Sequence, residues 1–128
     1  MTDTQLPTQT LTAGRISRTT LALFAGASGD HNPIHIDIDV AKAAGMDDVF
    51  AQGMLSMAYL ARLVTEYAPQ AELRSLTTRF VSITPVHAKP TCTAVVSSVE
   101  DGVTTLDLTV ALEDGTVTLT GTATLASA

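Results

Sequence analysis

The residues best able to do chemistry lie in one short stretch. Asp30, His31, Asn32, Pro33, Ile34, His35 and Asp37 fall within eight positions. A carboxylate and an imidazole have ordinary pKa values of about 3.9 and 6.5, so both exchange protons near neutrality without extreme tuning. Held on one water molecule, such a pair can act as general base and general acid. Asn32-Pro33 puts a rigid corner between Asp30 and His35, because proline fixes its own φ and turns the preceding residue away from helix. The alternative is a solvated polar turn, since Asp, Asn, Gly and Pro are ordinary turn residues. A metal reading is weaker. His31 and His35 at i and i+4 need a helix to align their rings, and Pro33 argues against one. No metal is expected.

The flanking elements must position this loop. Ser17 offers an N-cap for a helix over 18–27, with Leu21, Phe24 and Ala25 on one face and Gly29 at its end. Residues 30–38 read as an irregular loop. Asp39 offers a cap for a short helix over 40–44, closed by Gly45. A helix over 53–67 is apolar on almost every side, through Met54, Leu55, Met57, Ala58, Leu60, Ala61, Leu63 and Val64. Such breadth predicts a buried helix. A first strand is expected over 10–16, and four more over 75–84, 91–99, 103–112 and 116–125. Turns fall at 87–90 and at the hairpin signals Glu100-Asp101-Gly102 and Glu113-Asp114-Gly115. Helices first and an antiparallel meander last make an α+β pattern. A curved sheet wrapped around the long helix would cover it.

The bulk properties narrow the class. A length of 128 residues suits one domain spanning 1–128, with 1–9 as a flexible arm. The apolar fraction of 45% against 16% charged describes a core-rich globule. Cys92 is the single cysteine, which excludes an internal disulfide and marks it as a core filler. Seven basic residues in a chain of net charge −6 form no stripe for nucleic acid. No apolar run approaches the ~20 residues of a membrane span. The polar N-terminus shows no secretory signal, so a cytoplasmic protein is expected.

Residues 24–37, FAGASGDHNPIHID, resemble the signature of the MaoC-like, R-specific enoyl-CoA hydratases and dehydratases. That signature runs aromatic, then Ser-Gly-Asp, any residue, Asn-Pro, an aliphatic, His, any residue and an acid. The match continues at Ala51-Gln52-Gly53-Met54-Leu55, then at Arg79-Phe80 and Pro85-Val86, and spans roughly 17–90. The resemblance implies a hot-dog fold, normally dimeric, with Asp30 and His35 as catalytic dyad and Asn32 bracing the loop. It implies syn addition of water to a trans-2-enoyl thioester, giving an R-3-hydroxyacyl thioester. Coenzyme A would enter only as part of the substrate, with no other cofactor. Residues 29–55 also resemble the catalytic dehydratase subunit of mycolic-acid elongation, which sets a heterodimer beside the homodimer. Gln52 stands where the family usually has His. It can donate and accept hydrogen bonds but cannot titrate, which suits loop support.

Other residues follow from their positions. Gly53 opens the long helix, where backbone N–H groups are unpaired and the dipole is positive. Its N–H is expected to hold the thioester oxygen, and its missing Cβ to let substrate come close; an ordinary helix start is the alternative. Ser56, Met54, Met57 and Tyr59 are candidates for the acyl pocket, or else core residues and hydroxyls bonded to nearby backbone. Lys42, Arg79 and Lys89 could meet coenzyme A phosphates. His31 reads as a rim residue and His87 as an exposed turn histidine. An acidic chain would repel an acidic carrier protein, which favours free coenzyme A thioesters. Thioester hydrolysis and a non-catalytic acyl-binding subunit of a heteromeric dehydratase are the competing functions.

Overall fold

The computed structural model describes residues 8–126. Of the arm expected over 1–9, residues 1–7 lie outside the described residues, while Gln9 already belongs to a strand. The elements in order are β1 (Gln9–Thr12), α1 (Arg18–Ser28), α2 (Ile38–Ala43), α3 (Gly53–Tyr67), β2 (Leu73–Phe80), β3 (Thr91–Glu100), β4 (Val103–Ala111) and β5 (Val117–Ala126). The strands form one antiparallel sheet in the order β1-β3-β4-β5-β2.

Local signals set most boundaries. The Ser17 hydroxyl accepts from the Thr20 N–H at 3.1 Å, and Gly29 ends α1 in the left-handed region at φ 82°. Asp101 and Gly102, at φ 52° and 78°, make the tight hairpin that pairs Glu100 with Val103. The second hairpin is wider. Gly115 at φ 89° lets the Leu112 N–H reach the Thr116 carbonyl at 2.8 Å.

Two expectations shift. β1 ends at Thr12 rather than 16, because the chain turns inward at Ala13 and buries Ile16. α2 is capped by Asp37, not Asp39. The Asp37 N–H is tied to the Pro33 carbonyl at 2.8 Å, and its carboxylate accepts from the Asp39 N–H at 2.9 Å. The helix thus starts at Ile38, and Asp39 falls in its first turn beside the positive end of the dipole.

The sheet curls around one side of α3. Leu60, Leu63 and Val64 pack on Cys92 and Ala94 of β3, on Leu106, Leu108 and Val110 of β4, and on β5. These strand residues recur at every second position, as a one-sided sheet requires. Each fully buried leucine contributes about 1.5–3 kcal/mol. Burial pushes the Cys92 thiol up to about 11, so it stays protonated as a core filler. A second cluster of Ile16, Leu21, Ala41, Val49, Ala51, Leu55 and Val86 fixes α1 and α2 against the head of α3.

α3 is the central helix, buried where it meets the sheet and open along its other flank. Met54 is 53% exposed and Ala58 is also exposed, while Leu55, Ser56, Leu60, Leu63 and Val64 are buried. The chain's own sheet covers one side only. Phe80, Val81 and Ile83 near the end of β2 are exposed as well.

Two glycines offer a test of this packing. A Cβ at Gly121 would run into the Thr77 carbonyl oxygen of the paired strand β2, whereas Gly26 in α1 faces open space. Gly121→Ala is predicted to cost about 1–3 kcal/mol, the scale of overpacking. Gly26→Ala is predicted to stabilise by about 1 kcal/mol. Urea denaturation midpoints should therefore move in opposite directions, and shifts of the same sign would contradict the structure.

Candidate active site

The loop between α1 and α2 is built by its own polar side chains. Ser28 Oγ accepts from the Asp30 N–H at 3.1 Å, Asp30 Oδ1 from the Asn32 N–H at 3.3 Å, and Asn32 Oδ1 from the Ile34 N–H at 3.2 Å. Each bond reaches two residues on, the pattern by which Asp, Asn and Ser shape turns. The stretch is more regular than expected, since Pro33–His35 form one turn of 3-10 helix capped by Asn32. Proline is tolerated there because the first N–H of a helix has no intrahelical partner.

This folding gives Asp30 two different oxygens. Oδ1 holds the turn, and Oδ2 faces His35 Nε2 at 3.8 Å. That gap is too long for a direct hydrogen bond. It is short enough for one water to touch both at about 2.8 Å. The Asp30 side chain is 40% exposed and that of His35 only 10%.

His35 is oriented from behind. Its Nδ1 lies 2.7 Å from the Phe50 carbonyl oxygen. A carbonyl can only accept, so Nδ1 carries a proton and Nε2 is left to gain or lose one. The Phe50 ring meets the imidazole edge-on at 5.0 Å and 81°. Phe50 is held by a bridge to Pro85, with the Ala51 N–H donating to the Thr84 carbonyl at 2.8 Å. Just upstream, Arg18 Nη1 binds Asp48 Oδ1 at 2.9 Å, and this hydrogen bond holds the Asp48 carboxyl below the usual carboxylate range.

Each member of the dyad lines a cavity of its own. One, of about 310 Å³, is lined by His35, Gly53, Ser56, Phe80 and Thr84 among others. The second, of about 410 Å³, is lined by Phe24, Asp30, Met54, Met57, Ala58 and Ala61 among others. The structure thus brings together Asp30, His35 and Asn32, with Gly53 in the wall that His35 faces. As the first residue of α3, Gly53 has an N–H with no intrahelical acceptor.

Four expectations change. Gln52 does not touch the loop: it is fully buried, and its Nε2 donates to the Leu21 carbonyl of α1 at 3.0 Å. It therefore ties α1 to the head of α3. Gly53 makes room for a side chain rather than leaving open space, because a Cβ there would stand 3.0 Å from the Phe80 ring. Tyr59 lines neither cavity but packs against both core clusters, and burial pushes its phenol up. The acyl-pocket candidates also split, with Ser56 beside His35 and the two methionines beside Asp30.

The remaining candidates stand apart. Lys42, Arg79 and Lys89 line neither of these cavities. His31 and His87 are exposed, and His87 adopts a positive φ of 72°. Sequence reasoning missed Phe50, Phe80 and Thr84. Phe50 acts through its backbone carbonyl, which no residue type announces. Arg79-Phe80 was visible as part of the family match, but the packing of the ring on Gly53 was not.

The fold is that of a hot-dog protein. The family model described as "MaoC like domain" matches residues 3–118, and the chain belongs to that family. Among solved structures it is similar to the (R)-hydratase from A. caviae involved in PHA biosynthesis, with 21% identity, TM-score 0.84 and 95% of each chain covered. It is similar to R-hydratase PhaJ1 from Pseudomonas aeruginosa, with 23% identity, TM-score 0.85, and 94% of this chain and 79% of that one covered. It is also similar to a chain of the ChsH1-ChsH2 complex from Mycobacterium tuberculosis, with 25% identity, TM-score 0.81, and 96% and 94% covered. Among the curated proteins compared, none matches this sequence. No helix among the described residues is long and apolar enough to cross a membrane.

The bond to Phe50 can be tested through stability. Asparagine at position 35 keeps an N–H near the place of Nδ1, whereas leucine leaves the half-buried Phe50 carbonyl without its partner. His35→Leu is predicted to be less stable than His35→Asn by about 1–3 kcal/mol, the cost of an unpaired buried polar group. Equal urea midpoints for the two variants would show that the bond does not anchor the ring.

Proposed function

We propose that this protein is a hydro-lyase that reversibly adds water, syn, across the double bond of a trans-2-enoyl thioester to give an R-3-hydroxyacyl thioester. The observation that carries the reading is the pairing of Asp30 Oδ2 and His35 Nε2 at 3.8 Å, with Nδ1 already committed to the Phe50 carbonyl. In the hydration direction, the Asp30 carboxylate takes a proton from the water as its oxygen bonds to C3. The C2–C3 π electrons move toward the thioester, and the Gly53 N–H receives the charge that gathers on its oxygen. One such donor is typically worth about 3–4 kcal/mol in the transition state. Protonated His35 gives its Nε2 proton to C2. The proton on Asp30 then passes to His35, which restores the pair and leaves one water added overall. Hydroxyl and proton delivered by this one adjacent pair arrive on the same face of the double bond, which makes the addition syn.

The substrate is taken to be a coenzyme A thioester rather than a carrier-bound one. A net charge of −6 disfavours docking of an acidic carrier. The working unit is a dimer in this reading. Met54 and Ala58 on α3 leave an apolar flank that a second chain would cover. A second copy is the simplest partner. A different chain is the alternative, supported by the likeness to a structure described as a ChsH1-ChsH2 complex.

Incubation with crotonyl-CoA tests the reaction class. Hydration removes the enoyl absorbance without releasing free thiol, whereas free thiol would mean hydrolysis. His35→Ala and Asp30→Ala are each predicted to lower turnover by at least about a hundredfold, and His31→Ala far less. Unchanged rates in the first two variants would remove the dyad from the mechanism, and a collapse in the third would mean that the wrong histidine was chosen.

A further inference from the structure

The cavity that His35 and Gly53 share contains a feature that hydration does not require. Ser56 and Thr84 line it, and they are only 1% and 4% exposed. Their hydroxyls face each other at 3.4 Å, a long hydrogen bond. Among the described residues, neither hydroxyl has a second partner. A third hydroxyl in the same wall differs, since Ser82 Oγ donates to the Val117 carbonyl at 2.7 Å and is satisfied. Two hydroxyls that share one weak bond leave one O–H and several lone pairs unused. Buried polar groups in folded proteins are normally paired, and each exception calls for an explanation. Elsewhere the wall is apolar, through Ala51, Phe80, Val81, Ile83 and Leu119.

We infer that Ser56 and Thr84 form a polar subsite for the acyl chain, and that the preferred substrates are short acyl thioesters with an oxygen a few bonds beyond the double bond. This rests on the hydratase reading of the same site and deepens it. Ser56 lies three residues after Gly53, on the same face of α3 and about 4.5 Å further along its axis. A thioester oxygen on the Gly53 N–H therefore places the next few chain atoms beside the pair. The burial gradient decides which arm of the thioester runs there. Phe80, Val81 and Ile83 are 52%, 52% and 45% exposed, whereas the hydroxyl pair is buried deeper in the same wall. The coenzyme A arm must leave toward solvent, so the deeper, buried side receives the acyl tail. Hydroxyl, ether and keto oxygens can all accept the spare O–H. A plain alkyl chain of the same length would leave it unpaired, and sites built around a hydrogen bond discriminate against analogues that lack it.

Two unreactive isosteres test this apart from catalysis: 4-methoxybutanoyl-CoA and hexanoyl-CoA, which differ by one ether oxygen in place of a methylene. Titration calorimetry on the whole protein should find the ether thioester bound about fivefold more tightly, the scale of one net hydrogen bond. Ser56→Ala and Thr84→Val, checked for native circular dichroism, should each bring the ratio of dissociation constants to about one. Equal affinities in the parent protein, or a preference that survives both substitutions, would overturn the subsite. So would failure of the parent to bind either thioester. Hydration of crotonyl-CoA is measured alongside. Turnover without an ether preference sinks the subsite alone, and an ether preference without turnover sinks the hydratase reading alone.

Discussion

One hydrogen bond organises the site: the 2.7 Å contact between His35 Nδ1 and the Phe50 carbonyl. An imidazole is useful in acid–base chemistry only when it is known which nitrogen is free. The carbonyl answers that by taking the Nδ1 proton and leaving Nε2 toward Asp30. The carbonyl is itself fixed, because residues 49–51 pair with 84–86 through the Phe50–Pro85 bridge and the bonds beside it. The same segment runs on through Gln52 into the first residue of α3. Ring orientation, the free N–H of Gly53 and the cavity wall between them thus depend on a few consecutive residues.

The loop that carries Asp30 shows a related economy. Its polar residues serve as backbone surrogates as well as surface groups. Ser28, Asp30 and Asn32 each hold an amide two positions on, which fixes a path that neither helix nor sheet would supply. Asp30 takes part with one oxygen and turns the other toward His35. A carboxylate can do both because it has two acceptors, whereas a serine or threonine at that position would have to choose.

Much of the fold was legible because its signals are local. Ser17 and Gly29 bound α1, the glycine at 53 and the apolar pattern after it gave α3 its limits of 53 and 67, and Asp101-Gly102 fixed a hairpin. The pairing of Asp30 with His35 was legible from the Asn-Pro corner and the family signature. What the sequence hid depends on tertiary partners. Gln52 reads as loop support until its neighbour proves to be the Leu21 carbonyl of α1. Asp39 reads as the cap of α2 until the bond from the Asp37 N–H to the Pro33 carbonyl starts the helix earlier. Phe50 orients a histidine with a group that every residue carries. The apolar girth of α3 was read correctly, but the residue pattern does not say whether the cover comes from this chain or another.

The central claim is that His35 keeps its Nδ1 proton and works through Nε2. Long-range proton–nitrogen correlation spectra of the imidazole, recorded at a pH where His35 is neutral, report this directly. The account predicts a protonated, pyrrole-like Nδ1 and a bare, pyridine-like Nε2. A proton residing on Nε2, or two nitrogens with averaged shifts, would contradict it.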